Sequence, residues 1–448
     1  MARVAVIGGG YGGVTVAKGL DPLADVVLIE QKDQFVHHAA ALRAAVDTVW
    51  EHAIFMPYTN LLHHGEVVRG TVSRVDGTTV HVFGHDPIEA DYVVFATGST
   101  YPFPAKYSSY RSSVAKARLE QLHENLGRAR SVMIVGGGTV GIELTGELAN
   151  AFPGLDITIV EASDQILGTP GYTDALRNEI SEQLSTLGVR VVTGSELAYL
   201  PPQNVGDLGH FMVETKNGDV IEADLWFQCY GARANTGFLI GSDYESVMNP
   251  NGTIRVDGTM QVVDHPNVYA VGDLTDVRES KRADAARQQA RVVIANITAQ
   301  IEGEKPDAIY QPTKEWVILP LGPTMGASQL LDSDGAVLVP RPTAPPGPLP
   351  IPTTPMGRDL TITDFFMVDD DMTEDLHDVA TLGGRQKAIG GGLSYGEAVL
   401  ELGLAICAGA SLSARVRRMT PAPRTTCSGS RSTRTGRATD SSTSLSTR

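Results

Sequence analysis

A glycine cluster at residues 8–13 constrains this chain more than any other feature. It follows an apolar run, Val4-Ala5-Val6-Ile7, and opens a small-residue stretch, after which a second apolar run ends on Glu30. The order reads as strand, tight turn, helix, strand. Gly8, Gly10 and Gly13 match the spacing G-x-G-x-x-G. The first glycine makes the turn, the second lets a pyrophosphate approach the backbone, and the third lets helix pack on strand. The helix N-terminus then presents N–H groups and a positive dipole end to phosphate. Glu30 closes the second strand about 20 residues on, where a carboxylate accepts hydrogen bonds from a ribose. The glycine spacing alone is a weak signal. Strand, helix and terminal acid in register with it predict a dinucleotide site.

The same pattern recurs in Ser131 to Glu161, SVMIVGGGTVGIELTGELANAFPGLDITIVE. Gly136, Gly138 and Gly141 repeat the spacing and Glu161 repeats the terminal acid, so a second dinucleotide site is expected. A carboxylate accepts from a ribose 2′-hydroxyl and repels a 2′-phosphate, so Glu161 favours NADH over NADPH. Glu143 and Glu147 lie four apart on one face of the second helix. They read either as surface acids or, for Glu143, as a group facing the nicotinamide end. Gly231, which ends the apolar strand Leu225 to Tyr230, is assigned to the same site.

Between and after the two repeats the chain alternates strands and helices. Ala39 to Val46 is expected to form a short helix, with His37 and His38 at its entrance. Those histidines either sit beside a cofactor or acceptor or cap and solvate the helix end. Glu66 to Val82 reads as small antiparallel strands, Asp91 to Thr97 as a buried strand, and Tyr101 to Pro104 as a stiff connector. A helix is expected over Thr173 to Leu187, a strand over Val189 to Thr193 and a hairpin about Asn217-Gly218. The strand ending Asn267 to Asp273 brings Gly272 and Asp273 to a strand C-terminus, where ligands bind in open α/β sheets. A long helix is expected from Glu279 to Ile301. From Gln311 the texture turns β-rich, with strands expected over Lys314 to Leu319, Gly335 to Val339 and Asp359 to Phe366. Arg341 to Pro355 is too proline-dense for regular structure. The last part holds one apolar run, Ala398 to Ala414, which reads as a packed, oligomer-forming or interfacial helix. A Ser/Thr/Arg-rich end, expected to be disordered, follows it.

Length and charge limit the remaining choices. At 448 residues about three domains are expected. A net charge of −16 argues against a nucleic-acid partner. The three cysteines, Cys229, Cys407 and Cys427, lie far apart and form no C-x-x-C, so no metal site, redox pair or disulfide framework is expected. No charged-then-apolar run stands before the first strand, so no cleaved leader is expected, and the start Met-Ala-Arg lacks the glycine needed for N-myristoylation. A cytoplasmic protein is the default, with peripheral contact on the inner face of a membrane as the alternative. Monomer and homodimer both remain open.

Taken together, these motifs resemble the FAD-dependent pyridine-nucleotide oxidoreductases of the glutathione-reductase-like fold. Gly8, Gly10, Gly13 and Glu30 look like the family's FAD motif. Ala96-Thr97-Gly98 is similar to its A-T-G turn, and Gly272-Asp273 to the late G-D pair that holds the flavin's ribityl and phosphate portion. Arg43 and Val72 are assigned to FAD by the same resemblance. Gly136, Gly138, Gly141 and Glu161 look like the NAD motif. VHHAAALRAAV, FATGSTYPFPAKY, NVYAVGDLTDVRESK and GRDLTITDFF further resemble the apoptosis-inducing-factor-like, mitochondrion-associated group that includes the ferroptosis suppressors. That resemblance implies FAD-dependent NAD(P)H oxidation with a quinone-type acceptor. The expected class is α/β: two Rossmann-like dinucleotide-binding domains and a small β-rich C-terminal module. The expected boundaries are 1–105 with 236–310 for FAD, 106–235 for NAD(H), 311–367 for the module and 368–448 for a tail. With no cysteine pair beside the flavin, electrons must pass to an external acceptor. His37, His38, Lys281 and Gln289 are the candidate catalytic residues around it. A type II NADH dehydrogenase, a ferredoxin or rubredoxin reductase and a redox-signalling flavoprotein are the rival readings.

Overall fold

The computed structural model describes residues 1–312, 317–332 and 335–339. Its largest sheet has six strands. Arg3–Ile7 lies between Asp25–Glu30 and Tyr92–Phe95, parallel to both. His265–Ala270 extends the sheet in parallel beyond Tyr92–Phe95, and Gln261–Val262 closes that edge antiparallel. The other edge is Glu66–Arg69, paired parallel with Asp25–Glu30. Only part of Glu66 to Val82 is therefore the antiparallel unit expected from its alternation. Val72–Asp76 and Thr79–Val82 pair antiparallel, whereas Glu66–Arg69 is taken by the edge of the main sheet. Local alternation cannot tell which neighbour satisfies a strand's N–H and C=O groups.

The central strands are buried on both faces, as their unbroken apolar runs require. Val4, Val6, Val26 and Leu28 pack with Val14, Ala17, Leu20, Val293 and Ile297 on one side. Ala5, Ile7, Val27 and Ile29 pack with Val75, Val80 and Leu239 on the other. The helix Tyr11–Leu20 lies against the long helix Ala283–Ile301. Gly12, Gly13 and Gly19 are sites of close approach: a methyl group at Gly12 would sit 2.9 Å from Val271.

A second sheet repeats the arrangement with four parallel strands, in the order Arg190–Val192, Asp156–Val160, Ser131–Val135 and Leu225–Gln228. Helix Thr139–Ala151 and helix Asp174–Thr186 flank it. The two sheets are joined where the chain leaves the first and returns to it. Ser99–Thr100 pairs antiparallel with Arg233–Ala234. Thr97 Oγ1 donates to the Asn235 carbonyl (2.7 Å), and Asn235 Nδ2 donates back to the Thr97 carbonyl (3.0 Å).

Val317–Leu321, Met325–Asp332 and Gly335–Val339 form a three-stranded antiparallel sheet. It docks on the second unit. Helix Thr139–Ala151 meets Val317–Leu321 at Gly146, which has no room for a side chain against the Leu321 backbone. Gln183 accepts from the Gly326 N–H (2.7 Å) and donates to its carbonyl (2.9 Å). The middle strand, Met325–Asp332, was not foreseen from the sequence. The start of the Lys314 strand, the Asp359 to Phe366 strand, the helix at Ala398 to Ala414 and the disordered end lie outside the described residues.

Candidate functional site: two glycine turns facing one seam

The two fingerprints have the same internal geometry. Gly8 and Gly136 adopt φ of +105° and +111°, conformations that only glycine enters freely. A methyl group at Gly8 would lie 2.5 Å from the Ala96 carbonyl oxygen, and one at Gly136 2.7 Å from that of Cys229. Gly13 and Gly141 touch the carbonyl oxygens of Gly8 and Gly136, so neither tolerates a Cβ. The middle glycines differ. Gly10 and Gly138 are the N-caps of their helices, with φ of −80° at each, and face open space where a Cβ would point. No side chain caps either helix, and neither first turn carries an acid. Each turn thus offers unobstructed backbone N–H groups at a positive dipole end, which is the donor set a pyrophosphate needs.

The terminal acids also match. Glu30 accepts from the Gly9 N–H (2.5 Å) and the Lys32 N–H (2.8 Å). Glu161 accepts from the Gly137 N–H (2.6 Å) and the Ser163 N–H (2.7 Å). Each carboxylate is therefore fixed over its glycine turn, with lone pairs left for a ribose hydroxyl. Tyr58 donates to the Gly9 carbonyl (2.7 Å) and closes the first turn from above.

Asp273, at the end of the His265–Ala270 strand, lies at the seam. It accepts from Ser99 Oγ (2.5 Å) and Lys106 Nζ (2.8 Å). Burial raises its pKa, but the Lys106 charge and the bonds from Lys106 and Ser99 outweigh this and hold it below the ordinary carboxylate value. Lys106 is a site residue that sequence reasoning missed. It stands in the stretch FATGSTYPFPAKY, but nothing local shows that the connector turns this lysine back onto a residue 167 positions away.

Gln289 is buried, accepts from the Gly272 N–H (2.6 Å) and donates to Glu279 (2.7 Å). It braces the Gly272-Asp273 turn, which has φ of +85° at Gly272. Lys281 does not start the long helix as expected, because that helix begins at Ala283. Instead Lys281 donates from the preceding loop to the Thr275 and Val277 carbonyls. Burial lowers its pKa, against the pull of Asp273, Glu279 and Asp276.

His37 is buried, so it is not a solvated cap. The Ala39 N–H donates to Tyr11 Oη (3.1 Å), and Tyr11 Oη lies 2.9 Å from His37 Nδ1. Burial, then the nearby Arg287 charge, lower the His37 pKa to about 3, so the ring is neutral. His38 is lowered as well, by burial and by Lys106, Lys32 and His37. Val72 opens the strand Val72–Asp76 and packs on the cluster that contains Ile7 and Ile29. Gly231 follows the strand Leu225–Gln228 with φ of +95°.

Arg43 and Glu147 form a buried ion pair, Nε to Oε2 at 2.7 Å and Nη2 to Oε1 at 2.9 Å. Glu147 is thus no surface acid. Glu143, one turn before it, is half-buried. Burial first, then the Glu147 charge, raise its pKa to about 8, and Arg43 opposes them. Among the described residues no group of His, Cys, Asp and Glu could hold a metal ion, and no helix is long and apolar enough to cross a membrane.

Paired Rossmann-like units with matched glycine turns and a G-D strand end define a class, and the comparisons agree with it. The chain belongs to the pyridine nucleotide-disulphide oxidoreductase family, whose model matches residues 2–290. Within that family it is an FAD-dependent NAD(P)H oxidoreductase, similar to the ferroptosis suppressors and the apoptosis-inducing-factor homologues. It is 30% identical to ferroptosis suppressor protein 1 of Homo sapiens over 333 residues, covering 73% of this chain and 88% of the relative. It is 30% identical to apoptosis-inducing factor homolog B of Dictyostelium discoideum over 348 residues, covering 73% and 89%. In fold it is similar to the sulfide:quinone oxidoreductase of Aquifex aeolicus, with a TM-score of 0.59 at 18% identity over 75% of this chain and 86% of that one.

Proposed function

We propose that the enzyme takes hydride from NADH and passes the electrons to a quinone-type acceptor without a protein disulfide. The observation that carries this is the pair of matched glycine turns, each with its own fixed carboxylate, combined with a lone buried cysteine. Cys229 is the only cysteine among the described residues, and burial pushes its thiol up to about 12. A neutral, buried, unpaired thiol cannot relay electrons by thiol–disulfide exchange. Bound FAD supplies the two-electron carrier that the side chains lack.

In this reading residues 1–105 and 236–310 hold FAD, and residues 106–235 hold NADH. Gly8, Gly10 and Gly13 admit the FAD pyrophosphate, and Glu30 takes its ribose. Asp273, held ionised by Lys106 and oriented by Ser99, takes the ribityl chain. Gly136, Gly138 and Gly141 admit the NADH pyrophosphate. Glu161 selects NADH because its carboxylate, pinned by Gly137 and Ser163, would face a 2′-phosphate with like charge. Glu143, protonated at neutral pH, presents a neutral carboxyl at the nicotinamide end. Lys106, with Lys281 in the loop beyond Asp273, places positive charge where reduction adds negative charge. A quinone fits the acceptor role because it accepts two electrons without a docking protein. The resemblance to the ferroptosis-suppressor group supports the same class.

The test is the visible spectrum of the purified holoenzyme under anaerobic NADH, then after a soluble quinone. Bleaching faster with NADH than NADPH, and immediate recolouring with quinone, is the expected result. Bleaching followed by slow recolouring with every quinone would overturn the acceptor assignment.

A further inference from the structure

The segment from His37 to Arg43 touches both glycine-turn helices. At one end the Ala39 N–H and His37 Nδ1 both meet the hydroxyl of Tyr11, the first residue of the helix that begins at the Gly8–Gly13 turn. At the other end Arg43 pairs with Glu147, on the helix that begins at the Gly136–Gly141 turn. A third tie comes from His123, whose Nε2 donates to the Ala44 carbonyl (2.9 Å) from helix Ser112–Leu126. The segment is thus tied at both ends, with His123 fastening Ala44 just beyond it, and the members of the Arg43–Glu147 pair are 104 positions apart.

The ion pair is out of place in energetic terms. Arg43 and Glu147 side chains are only 11% and 5% exposed, and the surrounding cluster contains Leu42, Ala44, Ile142, Leu144 and Leu148. Removing two charges from water offsets most of their attraction, and a well-packed apolar pair in such surroundings is often equally stable. What an apolar pair lacks is direction. A guanidinium meeting a carboxylate through two atoms fixes distance and angle, whereas aliphatic side chains slide. The pair therefore acts on register.

We propose that His37–Arg43 is a strap that sets the spacing of the two dinucleotide helices, and that Arg43 is a positioning residue for hydride transfer from NADH. The proposal rests on the assignment of the two turns to FAD and NADH. It gives Arg43 a role other than FAD ligand. A hydride step depends steeply on donor–acceptor placement, and an ångström of misplacement can cost about a hundredfold in rate.

The experiment uses the full-length yellow holoenzyme and anaerobic stopped-flow bleaching by NADH. Arg43→Met is expected to lower the limiting bleaching rate at least tenfold, to leave the half-saturating NADH concentration within threefold, and to retain FAD. Arg43→Lys, which keeps the charge but not the two-atom contact, should recover only part of the rate. Glu147→Gln, which keeps shape and a hydrogen bond to the guanidinium, should lower the rate in the same direction; it carries the test if Arg43→Met does not fold. The double variant Arg43→Met/Glu147→Gln should be no slower than the worse single variant, because both remove one shared interaction. An unchanged limiting rate with a weakened NADH dependence would overturn the proposal and make Arg43 a binding contact. Loss of FAD from Arg43→Met would also overturn it. Failure of the cofactor assignment is separate: the unaltered enzyme would then not bleach with NADH.

Discussion

Gly138 and Gly141 stand three residues apart in one turn, and the structure gives them opposite consequences on substitution. Gly138 has φ −80° and ψ −174°, an extended conformation open to any residue, and nothing lies within 4 Å of an added Cβ. Gly138→Ala should therefore leave the protein folded. It loses a little as a helix N-cap, under ~1 kcal/mol, and regains part of that from a less flexible unfolded chain. The melting temperature should stay within about 3 °C. The new methyl group, however, occupies the space in front of the helix N-terminus. Displacing one charged hydrogen bond there costs about 1.5–3 kcal/mol, which is roughly a 10- to 150-fold rise in Kd for NADH. FAD content should not change, because Gly10 is untouched. Gly141→Ala drives its methyl group into the Gly136 carbonyl and should destabilise the fold by about 1–3 kcal/mol or more. The assay is a thermal melt followed by flavin fluorescence, with NADH affinity from anaerobic bleaching. If Gly138→Ala melts as early as Gly141→Ala, or binds NADH normally, the open face of Gly138 is not the phosphate site.

The remaining predictions concern charge and sulfur. If Glu161 is the ribose acceptor proposed above, Glu161→Ala removes both that acceptor and the repulsion of a 2′-phosphate, so the ratio of kcat/KM for NADH over NADPH should fall at least ~10-fold, about 1.4 kcal/mol; an unchanged ratio refutes the selective role. Glu143 has its pKa raised by burial and by Glu147 from the ordinary 4.5 to about 8. The native state therefore keeps a proton that the unfolded chain releases, and its contribution to stability declines as pH rises from about 4.5 to 8. NADH-dependent bleaching should weaken above about pH 8 for the same reason, and Glu143→Gln, which cannot ionise, should flatten that limb of the profile. Cys229→Ala should keep the NADH–quinone rate within about twofold, since a buried neutral thiol has no redox task; a large loss would reopen a disulfide mechanism.

Gly8 to Glu30 and Ser131 to Glu161 were legible because their constraints are local. A φ above +100° at Gly8 and Gly136 needs glycine, a third glycine must clear a carbonyl five residues away, and the acid sits at a fixed strand end. Each requirement acts within about 25 residues, so spacing alone conveys it. The same holds for the strand ending at Gly272 and for the hairpin at Asn217-Gly218, which pairs Phe211–Glu214 with Val220–Ala223.

What the sequence by itself determined is thus the two dinucleotide units, the acids that end their second strands and the absence of any C-x-x-C spacing. Tertiary structure alone decided which strand Glu66–Arg69 pairs with, where Lys106 points, and that the charge on Glu147 is met by Arg43 rather than by water. These contacts join residues 104 and 167 positions apart in two cases. A lysine in a proline-rich connector and an acid on a helix look like solvated surface until the chain closes on itself. Burial then removes water as the default partner, and the charges must find each other.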